Sequence, residues 1–228
     1  MLHKTFRKPA LLTRRLALAL ILSINSLARS QPQSLEPLID GLQNKYSRMR
    51  GLDAEFAQTY RGPDGRILRE SGHLMLKRPG KARWEYTAPE KKVFVSDGKN
   101  VYFYVEGEKH ATQAPVKQSA DPQIPFLFLL GRGNLRRDFS RIETTSDERP
   151  VQAGNVVLRL VPRRAPDEFK QLLVEVDPSS YEVKRMVIFE ASGARMDFIL
   201  SNVRENFVAP DNQFVFTPPA GVIIKKAG

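Results

Sequence analysis

The chain has 228 residues, with 36 lysines and arginines against 25 aspartates and glutamates, three histidines and no cysteine, for a formal net charge of +11. The lack of cysteine excludes disulfides, thiolate metal sites and a lipid-modified N-terminal cysteine. Six basic residues (Lys4, Arg7, Lys8, Arg14, Arg15 and Arg29) and no acidic ones lie in residues 1–30, leaving 30 basic against 25 acidic, or +5, over the other 198; that balance is too mild to argue for nucleic acid.

Residues 1–30 read as a cleaved secretory signal peptide. A basic segment precedes the short apolar run Leu16 to Leu22, and Ala28-Arg29-Ser30 offers cleavage before Gln31, with cleavage after Ala28 as the alternative. The run is far shorter than the roughly 20 residues a spanning helix needs. The mature protein is expected to be one exported, soluble domain over residues 31–228.

Ser34 is placed to cap a helix in which Leu35, Leu38, Ile39, Leu42 and Tyr46 share one face, and Gly51 ends it. Strands then dominate. Leu52 to Tyr60 sets Leu52, Ala54 and Phe56 against Asp53 and Glu55, and Gly62-Pro63-Asp64-Gly65 turns it into a strand from Ile67 to Lys77. The chain breaks at Arg78-Pro79-Gly80-Lys81, and Arg83 to Thr87 is the next strand. Val93 to Val95 and Val101 to Val105 flank Ser96 to Asn100, where Asp97-Gly98 signals a hairpin.

Between His110 and Asp138 the pattern changes. Asp121 to Leu130 carries two prolines, lacks alternation and ends at Gly131-Arg132-Gly133, which predicts one or two short helices. Strands resume at Asn155 to Pro162, Phe169 to Asp177, Tyr181 to Ala191 and Arg195 to Val203, with hairpin turns at Asp177 to Ser180 and Ala191 to Ala194. Pro210 to Thr217 is expected as the last strand. An antiparallel sheet of this many strands curls, and the helices beginning at Ser34 and Asp121 are available to cover its concave side. A cavity remains wherever the inward side chains fail to fill that side.

No catalytic constellation stands out. His73 and His110 are isolated, no nucleophile elbow, phosphate loop or dinucleotide glycine pattern is present, and most carboxylates sit beside lysine or arginine. The chain is therefore read as a non-enzyme, with no metal and no cofactor. Basic and aromatic residues interleave from Lys81 to Tyr104, a pattern that also suits single-stranded nucleic acid. Period-2 alternation explains it more simply, with aromatics inside and charges outside.

One order of motifs is specific. Lys77-Arg78-Pro79, Trp84-Glu85-Tyr86 and Val95 to Lys99 follow Leu52 to Gln58; Ile124 to Leu130 and Phe214 to Val222 come later. Together they resemble the LolA family, the periplasmic carriers of bacterial lipoproteins, over essentially the whole mature chain. The resemblance implies an α+β fold: a curved, incomplete antiparallel β-barrel (a half-barrel) with helices forming a lid over a hydrophobic cavity. It implies a monomer that receives acylated lipoproteins from an inner-membrane lipoprotein-releasing ABC transporter and delivers them to an outer-membrane lipoprotein acceptor. The family's functional arginine falls on Arg78, which would latch the lid through backbone carbonyls around Leu129 and Leu130. Leu52, Phe56, Trp84, Tyr86, Phe94, Tyr102, Phe126, Phe128, Met186 and Phe198 would line the acyl-chain cavity. Two features depart from the pattern: Ala82 and Arg83 stand where relatives often carry a bulky apolar residue, and the basic stretch Arg159 to Arg164 has no family role. Two other readings keep the fold, a carrier of another acylated lipid such as a glycolipid or pigment lipid, and a periplasmic lipoprotein sensor.

Overall fold

A computed structural model of the protein describes residues 35–116, 133–164 and 169–226. The predicted first helix forms as α1 (Leu35–Arg48), and Ile39, Leu42 and Tyr46 are its buried residues. The strands follow as β1 (Gly51–Arg61), β2 (Ile67–Lys77), β3 (Lys81–Ala88), β4 (Lys92–Asp97), β5 (Asn100–Val105) and β6 (His110–Pro115). A single-turn helix, α2 (Leu135–Asp138), leads into β7 (Phe139–Thr144), β8 (Val156–Pro162), β9 (Phe169–Val176), β10 (Val183–Glu190) and β11 (Arg195–Glu205). A 3₁₀ turn at Asp211–Phe214 precedes the last strand, β12 (Ile223–Lys226). The turn chemistry is as predicted. Gly98 takes a positive φ of 94°, and the Asp97 carboxylate accepts the Lys99 and Asn100 N–H groups, each at 2.7 Å.

All these strands join one twelve-stranded sheet in the order β12-β6-β5-β4-β3-β2-β1-β11-β10-β9-β8-β7. The sheet is open, with β12 and β7 as its edges. It is antiparallel except at β12, which runs parallel to β6. The strand expected at Pro210 to Thr217 does not form. Phe214 is buried there against Met75 and Ala209, so the segment lies on the outer face of the sheet by its side chains, and pairing is deferred to Ile223. The helix expected over Asp121 to Leu130 and the Gly131-Arg132 that closes it lie outside the described residues.

Register gives the sheet two distinct faces. On one, Leu52, Ala54 and Phe56 of β1, Leu74 and Leu76 of β2, Ala82, Trp84 and Tyr86 of β3 and Phe94 of β4 join residues of β8 to β11 and α1 in one continuous buried cluster. That face curls around its own core. Between β2 and β3 the approach is close at Gly72, where a Cβ would lie 1.9 Å from the Glu85 carbonyl oxygen, beside a register shift in the ladder.

The opposite face carries two covers. The C-terminal segment crosses β2 to β5, where Lys77 bonds the Ala209 carbonyl at 2.7 Å and Asp211 at 2.6 Å, and Phe216 stacks on Tyr102. The loop over 145–155 is tied to β9 by Glu175, a buried carboxylate that accepts from Val151 N–H at 2.7 Å, Gln152 N–H at 3.0 Å and Asn155 Nδ2 at 2.8 Å.

Candidate functional site: the concave apolar face

The site is the inner face itself. Alternation sends every second side chain of each strand inward, and the inward set is dominated by aromatic and aliphatic groups. Phe56 meets Tyr86 edge-on with ring centres 5.0 Å apart and lies 6.3 Å from Phe198; Trp84 meets Phe94 edge-on at 6.4 Å. Leu52 and Met186 belong to the same cluster. The packing is tight, with Trp84 and Phe198 each 0% exposed and Phe94 2%. Beneath α1 a recess lined by Leu42, Tyr46, Leu135, Leu160, Leu172 and Met186 has a volume of about 20 Å³, room for a single water. Trp84, Phe94 and Phe198 of the described inner face are thus closely packed.

Helix α1 is held over the β8 to β11 half of this face by polar contacts at intervals along it. The Val183 N–H donates to Tyr46 Oη at 2.8 Å, the Leu135 N–H to Gln43 Oε1 at 2.7 Å, and Lys45 pairs with Glu205 at 2.6 Å. Arg136 of α2 reaches back to Glu36 at 2.5 Å and Asp40 at 2.6 Å. Burial pushes the Tyr46 hydroxyl far above its ordinary range.

Seven of the predicted cavity residues come together on the inner face: Leu52, Phe56, Trp84, Tyr86, Phe94, Met186 and Phe198. Tyr102 does not. It pairs with Val95, one residue out of step with the inward Phe94, so it occupies the outer face and stacks on Phe216 at 5.4 Å. Phe126, Phe128, Leu129 and Leu130 lie outside the described residues. Arg78 stands at the β2–β3 turn, half-buried, with its N–H bonded to the Arg50 carbonyl at 3.0 Å. Ala82 is inward and fully buried, while Arg83 points outward to Glu85 and the Gln213 carbonyl.

The basic stretch has structural work. Arg159 pairs with Glu143 and Asp147, and Arg163 donates to the carbonyls of Arg136, Arg137 and Phe139, tying β8 to α2 and β7. His73 lies 3.0 Å from the buried carboxylate of Asp53, which also takes Arg204. Among the described residues no group of three or more histidine, aspartate or glutamate side chains is arranged to hold a metal ion, and no helix is long and apolar enough to cross a membrane.

One inward feature runs against the rule of aromatics inside and charges outside. Gln58, Glu70, Tyr86 and Lys92 come from β1, β2, β3 and β4 at one end of the apolar face. The Tyr86 hydroxyl donates to Gln58 Oε1 at 2.8 Å, Gln58 Nε2 donates to Glu70 Oε2 at 3.1 Å, and Lys92 Nζ lies 2.5 Å from Glu70 Oε1 and 4.4 Å from the centre of the Tyr86 ring. The signal was present in strand parity: with Trp84 and Phe94 inward and paired, Tyr86 and Lys92 must share their face.

Comparison with known proteins gives consistent matches. The family model described as outer membrane lipoprotein carrier protein LolA matches residues 47–217. Outer-membrane lipoprotein carrier proteins of Yersinia pestis (bv. Antiqua, strain Angola) and Serratia proteamaculans (strain 568) are 31% and 30% identical over 184 residues, 80% of this chain and 85% of each relative. Among solved structures, an uncharacterized conserved protein from Thermus thermophilus aligns over 86% of this chain and 100% of its own, with a TM-score of 0.53 at 12% identity, a likeness of fold alone.

Proposed function

This chain belongs to the LolA family of outer membrane lipoprotein carrier proteins, and we propose that it carries acylated lipoproteins through the periplasm with their acyl chains taken up on the concave face of the sheet. The observation that carries the reading is that face, a continuous apolar surface running from β5 round to β8 with α1 packed upon it. The protein acts by binding and release, without catalysis, cofactor or metal. Residues 1–30 direct export, residues 31–228 act as a monomeric carrier, the donor is an inner-membrane ABC transporter, and the recipient is an outer-membrane acceptor.

The energetics favour a core that has to open. Each buried methylene gains about 0.8 kcal/mol, so one sixteen-carbon chain is worth roughly 12 kcal/mol, and three would exceed the limit of about 18–21 kcal/mol at which affinities saturate. A preformed tunnel would bind such a cargo too tightly to give it up. Here the apolar surface is already engaged by Trp84 with Phe94 and by Phe56 with Tyr86 and Phe198. Loading parts these contacts, which offsets the gain and keeps delivery close to level. Arg78 is the proposed latch, since its five donors in a fixed fork suit the backbone carbonyls of Leu129 and Leu130.

Native mass spectrometry of protein taken from its host's periplasm without detergent tests the reading. Triacylated lipoproteins bound one to one are expected, and recovery of a free glycolipid instead would overturn it. Arg78→Leu should load normally and deliver poorly; normal delivery by that variant would remove Arg78 from the mechanism.

A further inference from the structure

We propose that Gln58, Glu70, Tyr86 and Lys92 form a polar anchor for the ester carbonyls that join acyl chains to the glyceryl-cysteine head of a lipoprotein. The proposal rests on the carrier reading and adds to it where the head of the cargo lies. The four side chains form an unbroken hydrogen-bonded chain across four neighbouring strands. The side chains of Glu70 and Lys92 are 3% and 16% exposed. Taking such a pair out of water costs free energy that an apolar pair of the same size would not, so stability alone is a weak reason for it. Apolar side chains dominate the rest of the inner face, so a row of four linked polar groups stands out on it.

The row is not wholly shut off from solvent, since the Lys92 side chain keeps 16% of its exposure. An ammonium has three N–H donors. In Lys92 one faces Glu70 Oε1, and the face of the Tyr86 ring lies beneath the charge, which leaves donor capacity for a further acceptor. The carboxylate and the ammonium cancel, so the site is neutral and lined by donors. A phosphate would meet the Glu70 carboxylate, whereas an ester carbonyl accepts from Lys92 and brings no charge of its own. An apolar trough ending in donors is complementary to an acyl chain ending in an ester.

The test is calorimetric binding of two synthetic ligands to the full mature protein: a cysteine peptide carrying a dipalmitoyl glyceryl diester, and the same peptide with dihexadecyl ether links. Wild type should prefer the diester by about tenfold, the size of one charge-assisted hydrogen bond. Lys92→Met and Tyr86→Phe should each bring the ratio of diester to diether affinity toward one. Tyr86→Phe keeps the ring and its packing, so it decides the matter if Lys92→Met fails to fold. Parity in wild type, or an undiminished preference in folded variants, would overturn the anchor while sparing the carrier reading. Failure of wild type to bind either ligand would overturn both.

Discussion

Removing one oxygen from Tyr46 isolates how firmly α1 is fastened to the sheet. In Tyr46→Phe the ring continues to fill its place, so no cavity term enters. The Val183 N–H, on a residue 1% exposed, loses its acceptor at 2.8 Å. A buried donor left unsatisfied costs about 1–3 kcal/mol. With a urea m-value of about 2 kcal/mol/M, the unfolding midpoint should fall by roughly 0.5–1.5 M at unchanged m. Hydrogen exchange should speed up at the Val183 amide and along α1, because that bond anchors the helix to β10. A midpoint shift below about 0.2 M at unchanged m would refute the reasoning. The variant also carries a pH signature. Burial raises the Tyr46 hydroxyl above its ordinary 10.0, so its contribution is complete below that pH and is lost as pH rises past it, when the unfolded chain gives up its proton first. Tyr46→Phe should flatten the alkaline limb of the stability profile.

Gly72→Ala drives a methyl into the Glu85 backbone, 1.9 Å away. It should cost more than about 3 kcal/mol through displacement of the β2–β3 ladder, read as a loss of soluble protein or of the thermal midpoint; an unchanged midpoint would show that the ladder yields freely. Glu175→Ala strips one acceptor group from three donors. The loop over 145–155 should become a site of limited proteolysis, with about 3 kcal/mol lost; a loop as resistant as in wild type would assign its placement to other contacts. The Ser179 hydroxyl and amide hold the Asp177 carboxyl down at about 2 from an ordinary 3.8. Its contribution is full above 3.8 and is lost as pH falls toward 2. Asp177→Ala should lower the thermal midpoint at neutral pH and flatten its decline across that window.

The strands that could be read in the sequence are those whose two faces differ. Phe56 against Glu55, or Trp84 against Arg83 and Glu85, shows alternation because one face is core and the other solvent. His110 to Pro115 and Ile223 to Lys226 show none. The first is largely polar and the second is exposed at every position, and β12 finds its partner only through a parallel pairing far back in the chain. The stretch around Phe214 reads like a strand because Phe214 is buried and Phe216 half-buried, but by contact with the outer face rather than by pairing. Of the site, the apolar inner residues were legible because size and parity agree. Tyr102 was not, since an aromatic ring on the outer face finds equal burial against Phe216. Glu70 and Lys92 are not legible in the sequence, because charge ordinarily signals solvent, whereas here it is satisfied within the sheet.

The parallel pairing of β12 with β6 has a consequence for how the molecule is made. A chain synthesised from its N-terminus completes β1 to β6 early, and β6 then presents a bare row of amides and carbonyls, a template for pairing with another molecule. The strand that shields it in the finished sheet is supplied by residues 223–226. Anything that delays or removes those last few residues therefore lengthens the interval in which two unfinished molecules can join edge to edge.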